Sequence, residues 1–244
     1  MKLNLKLGWL YSKTMNLYGD RGNVVALTYR AKMRNIDITV RNIEVGDEFD
    51  DKKIDVAFWG GGQDKEQRII ANDLGLKSEN IRKFYEKSKP MLAICGGYQL
   101  LGNFFQTREG DRIKGIGIFD ANTFGSKERM VGNVFLESKI FGSEKLVGFE
   151  NHSGRTFLAN KSDAMGEVIK GGGGGNNGVD KTEGMVSKNF IGTYLHGPFL
   201  PKNPQVCDWL LEKALEVKYN KSIKLRRLDD KLENLARKYV LKNC

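Results

Sequence analysis

Apolar residues at Leu3, Leu5, Leu7 and Trp9 alternate with others before Leu10, the period of a half-buried strand, and predict β structure over Leu3 to Leu10. Val24, Val25, Leu27, Ala31 and Ile36 fall near helical spacing and predict a helix from Gly22 to Asn35. Strand character returns over Ile38 to Ile43 and again over Ile54 to Trp59. The latter is mostly apolar and is stopped by Gly60-Gly61-Gly62, after which the polar segment Gln63 to Arg68 opens a helix. Ser78 to Ser88 reads as a further helix, with serine at its start and Pro90 just past its end. Met91 to Ile94 follows as a short strand apolar on both faces, ended by Cys95-Gly96-Gly97, and Tyr98 to Phe105 resumes a helical pattern. A strand buried on both sides belongs to a parallel sheet covered by helices, so the alternation predicts an α/β fold with a central, mostly parallel sheet.

The pattern changes between about residues 106 and 195. Short alternating segments, Val131 to Leu136, Lys145 to Phe149 and Met185 to Leu195, predict antiparallel additions to the sheet. Helix returns over Val206 to Tyr219, with Val206, Leu210, Ala214 and Val217 on one stripe, and again over Leu228 to Leu241. The division expected is a main domain over residues 1–204 and a C-terminal helical extension over 205–244 packed on it. Gly171 to Gly175, followed by Asn176-Asn177-Gly178, is the one low-complexity stretch. It lacks the Gly-Lys-Ser/Thr of a phosphate loop feeding a helix and is expected to be a flexible linker.

Composition narrows the classes. The 244 residues suit one compact domain with an appendage, and no apolar run approaches the roughly 18 residues of a membrane span. The opening Met1-Lys-Leu-Asn-Leu-Lys does not build a signal-peptide apolar region, so a cytoplasmic location is expected. Three cysteines, at 95, 207 and 244, and two histidines argue against a disulfide framework or a structural metal site, and no metal is expected. Cys207 and Cys244 read as structural or incidental. The net charge of +10 suits an anionic partner, but no interleaving of basic and aromatic residues supports nucleic-acid binding.

The chemistry concentrates at Cys95. Ala93-Ile94-Cys95-Gly96-Gly97 places a thiol on a strand-turn-helix junction between small residues, the arrangement of a nucleophile elbow, where helix N–H groups favour a thiolate. A cysteine that attacks an amide needs a base, and the choice lies between His152 and His196. His196 leaves a predicted strand for a loop before Gly197-Pro198 and is the better placed. Backbone N–H groups of Gly61, Gly62 and Gly96, at the ends of two neighbouring strands, are candidates to hold an oxyanion.

Read together, Gly60-Gly-Gly-Gln63, Ile94-Cys-Gly-Gly-Tyr-Gln99 and Thr193-Tyr-Leu-His-Gly-Pro198 resemble the class I glutamine amidotransferases of the CobB/CobQ type. They are closer still to the GatD type, the glutaminase subunits of lipid II isoglutaminyl synthases. Asn16-Leu-Tyr-Gly-Asp-Arg-Gly-Asn23, Gly148-Phe-Glu-Asn-His-Ser-Gly-Arg155 and Leu195-His-Gly-Pro-Phe-Leu-Pro-Lys-Asn203 extend the likeness over nearly the whole chain. The resemblance implies a flavodoxin-like three-layer fold and hydrolysis of L-glutamine through a thioester on Cys95, with His196 as base and acid. It makes Arg129, in Lys127-Glu-Arg-Met-Val-Gly132, the anchor of the glutamine α-carboxylate and Gln99 a further substrate contact.

Many class I enzymes carry a glutamate two residues after the histidine, where this chain has Pro198. The third carboxylate is then expected from Asp20, from Glu150 or from a partner protein. No ATP site is recognisable in the chain, so the resemblance implies a MurT-like Mur-ligase partner in a heterodimer. That partner would hold ATP and Mg and amidate the D-glutamate of lipid II with ammonia from this chain, at the inner membrane face. Two other readings stay open: a glutaminase serving another acceptor such as a cobyrinate-type precursor, and a non-enzymatic binding protein on the same scaffold.

Overall fold

In the computed structural model, residues 2–142 and 144–242 are described; Cys244 lies outside them. The chain order is β1 (Asn4–Leu10), α1 (Arg21–Lys32), β2 (Asp37–Ile43), β3 (Val56–Trp59), α2 (Asp64–Glu86), β4 (Met91–Ile94) and α3 (Gly96–Leu101). Then come β5 (Phe104–Gln106), β6 (Arg112–Lys114), β7 (Ala121–Glu137), β8 (Leu146–Leu158), β9 (Gly166–Gly171), β10 (Thr182–Glu183), β11 (Met185–Ser187) and β12 (Phe190–Thr193). Helices α4 (Phe199–Lys202), α5 (Pro204–Tyr219) and α6 (Lys231–Lys242) close the chain.

The central sheet has the order β11-β12-β4-β3-β1-β2 and is parallel except at its β11 edge. Every residue of β3, β4 and β12 is buried, as strands covered on both faces must be. Parallel strands put their carboxyl ends on one edge, so Gly60, Cys95 and the Tyr194–His196 segment emerge side by side with the loop that leaves β1. That edge is where ligand sites of open α/β sheets form.

Three local expectations are corrected. Ser78 does not start a helix: α2 runs unbroken from Asp64 to Glu86, and the Ser78 hydroxyl donates to the carbonyl of Gly75 inside it. Its apolar stripe, Ile70, Leu74, Ile81 and Phe84, is buried along the whole length, and that packing outweighs the internal Gly75. Phe104 and Phe105 leave the helix for β5, which pairs in parallel with β7. The segment Met185 to Leu195 adds β11, antiparallel, and β12, which runs parallel beside β4, to the central sheet; the other alternating segments build a second sheet, β10-β9-β7-β5-β6, with β8 paired to β7. Alternation reports which face of a strand is buried and says nothing about which strand lies beside it.

Helix α5 begins with Pro204 at its first turn and ends at Asn220 in the left-handed conformation. Val206, Cys207, Leu210, Leu211, Ala214 and Leu215 bury its stripe in the same core as the central strands. Asn203, fully buried, donates to the carbonyls of Val147 and Phe199 and accepts the N–H of Val147, which ties α4 and α5 to β8.

Candidate active site

Cys95 sits between β4 and α3 with φ 48° and ψ −103°, a backbone region that a residue with a Cβ adopts only when its surroundings impose it. Its N–H donates to the Thr193 carbonyl on β12 at 2.8 Å, and Gly96 and Gly97 let the turn close against Gly62 and Trp59. Cys95 is 8% exposed and lines a cavity of about 350 Å³. A strained, nearly buried cysteine at the mouth of a polar cavity is placed for attack and poorly placed for packing alone.

His196 is fully buried beyond the end of β12. Its backbone exchanges hydrogen bonds with Phe149 of β8, and its Nδ1 lies 3.0 Å from Asp20 Oδ1. Asp20 stands at the N-cap position of α1, yet its carboxylate makes no cap bond to that helix. Instead Oδ1 meets His196, and Oδ2 accepts the N–H of Gly61 at 2.7 Å. A residue suited to capping is thus turned inward at the helix's expense.

With Nδ1 committed to Asp20, Nε2 of His196 has no hydrogen-bond partner among the described residues and lies within electrostatic reach of the Cys95 thiol. Burial opposes a charge on the ring, but the Asp20 carboxylate, together with Cys95, outweighs it and pushes His196 up to about 10. The direction favours the imidazolium, the state produced when His196 takes a proton from the thiol.

The structure therefore brings together Asp20, Cys95 and His196, and supplies within the chain the carboxylate that Pro198 leaves open. No position at Nδ1 remains for a partner's carboxylate. Glu150, the other candidate in the chain, does not touch His196: it is buried on β8 against His152 and the loop around Gly175. Gly61 is removed from the oxyanion set because its N–H is held by Asp20. Gly62 lines the cavity beside Cys95, and Gly96 is the first residue of α3, where a helix's N–H groups have no acceptor of their own.

Arg129 reaches the same cavity from β7. Its Nε donates to Asn151 Oδ1 at 2.5 Å, and Nη2 donates to the Asn151 carbonyl and to Tyr18 Oη at 3.0 Å each. Tyr18 also packs edge-on against His196, with ring centroids 5.1 Å apart. Gln99 lines the cavity, but its amide is largely engaged inside the protein: Nε2 donates to Tyr194 Oη at 3.1 Å and Oε1 accepts from Gln67 Nε2 at 2.8 Å.

Tyr18, Asn151 and Gln67 are members of the site that residue-type reasoning does not single out. The first two lie inside the blocks around Asp20 and His152, but nothing in their chemistry marks them before the fold brings Arg129 to them.

Gly171 to Gly178 is not a flexible linker. Asn176 and Asn177 are buried, and the Asn176 amide binds Thr182 and Gly184, while Asn177 donates to the Thr156 carbonyl. The glycines allow close approach: a Cβ on Gly173 would fall inside the Glu150 carboxyl.

Among the described residues no cluster of three histidine, cysteine, aspartate or glutamate side chains could hold a metal ion, and no helix is long and apolar enough to cross a membrane.

Residues 6–204 match the CobB/CobQ-like glutamine amidotransferase domain. The chain belongs to that family. It is a glutamine-hydrolysing enzyme subunit of this family, as its named relatives are. The lipid II isoglutaminyl synthase (glutamine-hydrolyzing) subunit GatD of Streptococcus pneumoniae is 40% identical over 237 residues, covering 96% of this chain and 90% of that protein. The protein of the same description from Staphylococcus aureus is 44% identical over 207 residues, 85% of this chain and 83% of that one. The cobyric acid synthase of Ruminiclostridium cellulolyticum is 30% identical over 181 residues, and the match spans only 32% of that longer protein.

Among solved structures, a glutamine amidotransferase aligns with a TM-score of 0.53 at 14% identity, over 85% of this chain and 98% of that one. The glutaminase domain of Trypanosoma brucei CTPS aligns with a TM-score of 0.51 at 12% identity, over 91% and 98%. Both likenesses establish the amidotransferase fold.

Proposed function

We propose that this amidotransferase is the glutaminase subunit of a lipid II isoglutaminyl synthase. The observation that carries the chemistry is the Asp20–His196–Cys95 arrangement at a cavity that also receives Arg129. The acceptor is inferred from likeness: the two GatD subunits match over nearly their whole length, whereas the cobyric acid synthase extends far beyond the matched part.

In this reading Arg129 holds the α-carboxylate of L-glutamine, and Gln99 and Gln67 form part of the wall along its side chain. His196 Nε2 takes the Cys95 proton and the sulfur attacks the side-chain carbonyl carbon. The N–H groups of Gly62 and Gly96 receive the oxyanion. The imidazolium then protonates the departing nitrogen, ammonia leaves, and a water deprotonated by His196 hydrolyses the thioester to glutamate. Asp20 keeps Nδ1 protonated and stabilises the imidazolium.

Ammonia is consumed on a Mur-ligase-like, MurT-type partner, which uses ATP and Mg to activate the D-glutamate α-carboxyl of lipid II at the cytoplasmic face of the membrane. The test is amidation of lipid II by the chain co-purified with such a ligase, supplied with ATP and glutamine labelled with nitrogen-15 in its side-chain amide. The expected product carries the label in D-isoglutamine, and Cys95→Ala abolishes it while added ammonium restores unlabelled product. Labelled glutamine consumed without lipid II amidation, together with amidation of a different acceptor, would overturn the assignment.

A further inference from the structure

Glu150 and His152 form a buried pair that the reaction above does not use. They stand two residues apart on β8, so both side chains point to the same face of the strand. The His152 ring lies flat on Tyr194, centroids 3.6 Å apart at 4°, and lines the cavity that holds Cys95. Its Nδ1 lies 2.9 Å from the Gly154 carbonyl, which only accepts, so Nδ1 carries the proton. A neutral ring then presents a bare lone pair at Nε2. Glu150 Oε2 lies 3.4 Å from Nε2, and the nitrogen has no formed hydrogen bond among the described residues.

Two lone pairs cannot face one another in a fully buried site without a proton between them. We propose that Glu150 is a positioning residue that works as a neutral acid, its carboxyl O–H donating to His152 Nε2. This pair fixes the stretch of β8 that aligns the site. Phe149 on that stretch holds the His196 backbone and Asn151 holds Arg129. The glycine run is the lid on the pair: the N–H of Gly175 donates to Oε2 at 3.1 Å, and Gly173 leaves room for Oε1 where any side chain would collide.

The surroundings agree. Around Glu150, burial raises its carboxyl to about 7 against the N–H groups of Gly174 and Gly175 and the charge of Arg155. Glu183 on β10, also buried, faces it as a second carboxyl. Burial lowers His152 to about 3, reinforced by the charges of Arg155, His196 and Arg129, so the ring stays neutral. Above neutrality Glu150 loses its proton and the donor to His152 disappears.

This inference rests on the glutaminase reading for its kinetic readout. The experiment records kcat/KM for glutamine against pH for the wild type and Glu150→Gln, with Cys95→Ala as blank. The side-chain amide of that variant can donate to His152 Nε2 and does not titrate, though its nitrogen no longer accepts the Gly175 N–H. The wild type is expected to lose activity above pH about 7, and E150Q to stay within about threefold of it at pH 6 and to lack that fall. A folded E150Q variant whose activity falls with the same midpoint as the wild type, or a wild type with no fall near pH 7, would overturn the proposal.

Nitrogen-15 spectra of the wild-type histidines decide the pair independently of turnover and of whether the variant folds. His152 Nε2 should be an unprotonated acceptor below pH 7, with a shift that follows Glu150; an imidazolium there refutes it. Absence of any Cys95-dependent glutamate release in the wild type would refute the glutaminase reading, leaving the spectra to judge the pair.

Discussion

Asp20 Oδ1 lies 3.0 Å from His196 Nδ1, with both side chains fully buried and the second Asp20 oxygen held by the Gly61 N–H. One carboxylate thus fixes the tautomer of the base and the course of the glycine turn beside the nucleophile. Asp20→Asn should lower kcat for glutamine hydrolysis by about 100- to 10,000-fold with little change in KM, because an amide N–H at Nδ1 imposes the wrong tautomer. Steady-state kinetics measure this directly, and an unchanged kcat would remove Asp20 from the mechanism.

Arg129 is held on two sides before substrate arrives, by Asn151 and by Tyr18. Lysine keeps the charge but cannot make that fork or a two-point contact with a carboxylate. Arg129→Lys is expected to raise KM for glutamine about 10- to 100-fold at similar kcat, the loss of a charged hydrogen bond of roughly 1.5–3 kcal/mol. An effect confined to kcat would place Arg129 elsewhere in the reaction.

Gly173 packs on the Glu150 carboxyl. Gly173→Ala should destabilise the fold by about 1–3 kcal/mol, as overpacking does. Gly110, whose added Cβ would meet nothing within 4 Å but whose φ is +100°, provides a comparison in which strain acts without collision. Thermal melting distinguishes a packed segment from a linker: no shift for Gly173→Ala would restore the linker reading.

Glu183 is fully buried on β10. Its Oε1 accepts from the Thr193 hydroxyl and the Tyr194 N–H, and Oε2 has no hydrogen-bond partner among the described residues. Burial raises it from 4.5 to about 7, outweighing those hydrogen bonds. The folded state therefore holds a proton that the unfolded chain has released between those values, and the carboxyl's contribution to stability is lost as pH rises from 4.5 to 7. Melting of Glu183→Gln relative to wild type should improve steadily across that window and level off above it. A constant difference would show that Glu183 does not titrate there.

Much of this site is legible before the fold. Cys95 between small residues at a strand end and His196 at the exit of another strand are local signals, and the parallel sheet places those ends together. The Arg129 role comes from likeness alone, and the structure adds its neighbours. Other features depend on distance in sequence. Asp20 is one of the candidate carboxylates read from the sequence, but it meets a histidine 176 residues away, and nothing in its local pattern ranks it above Glu150 or a partner's carboxylate. The Gly61 N–H looks free in the sequence because its acceptor comes from another loop. The glycine run resembles a linker because composition records the lack of side chains and not the buried carboxyl that requires it.

The central claim is that the chain by itself assembles the nucleophile, base and carboxylate of a glutaminase. Its most direct test is glutamate release from L-glutamine by the purified chain without any ligase, comparing wild type, Cys95→Ala and Asp20→Asn. Release that vanishes in C95A and falls steeply in D20N is the predicted result. Release that requires a ligase partner and is indifferent to Asp20 would contradict it.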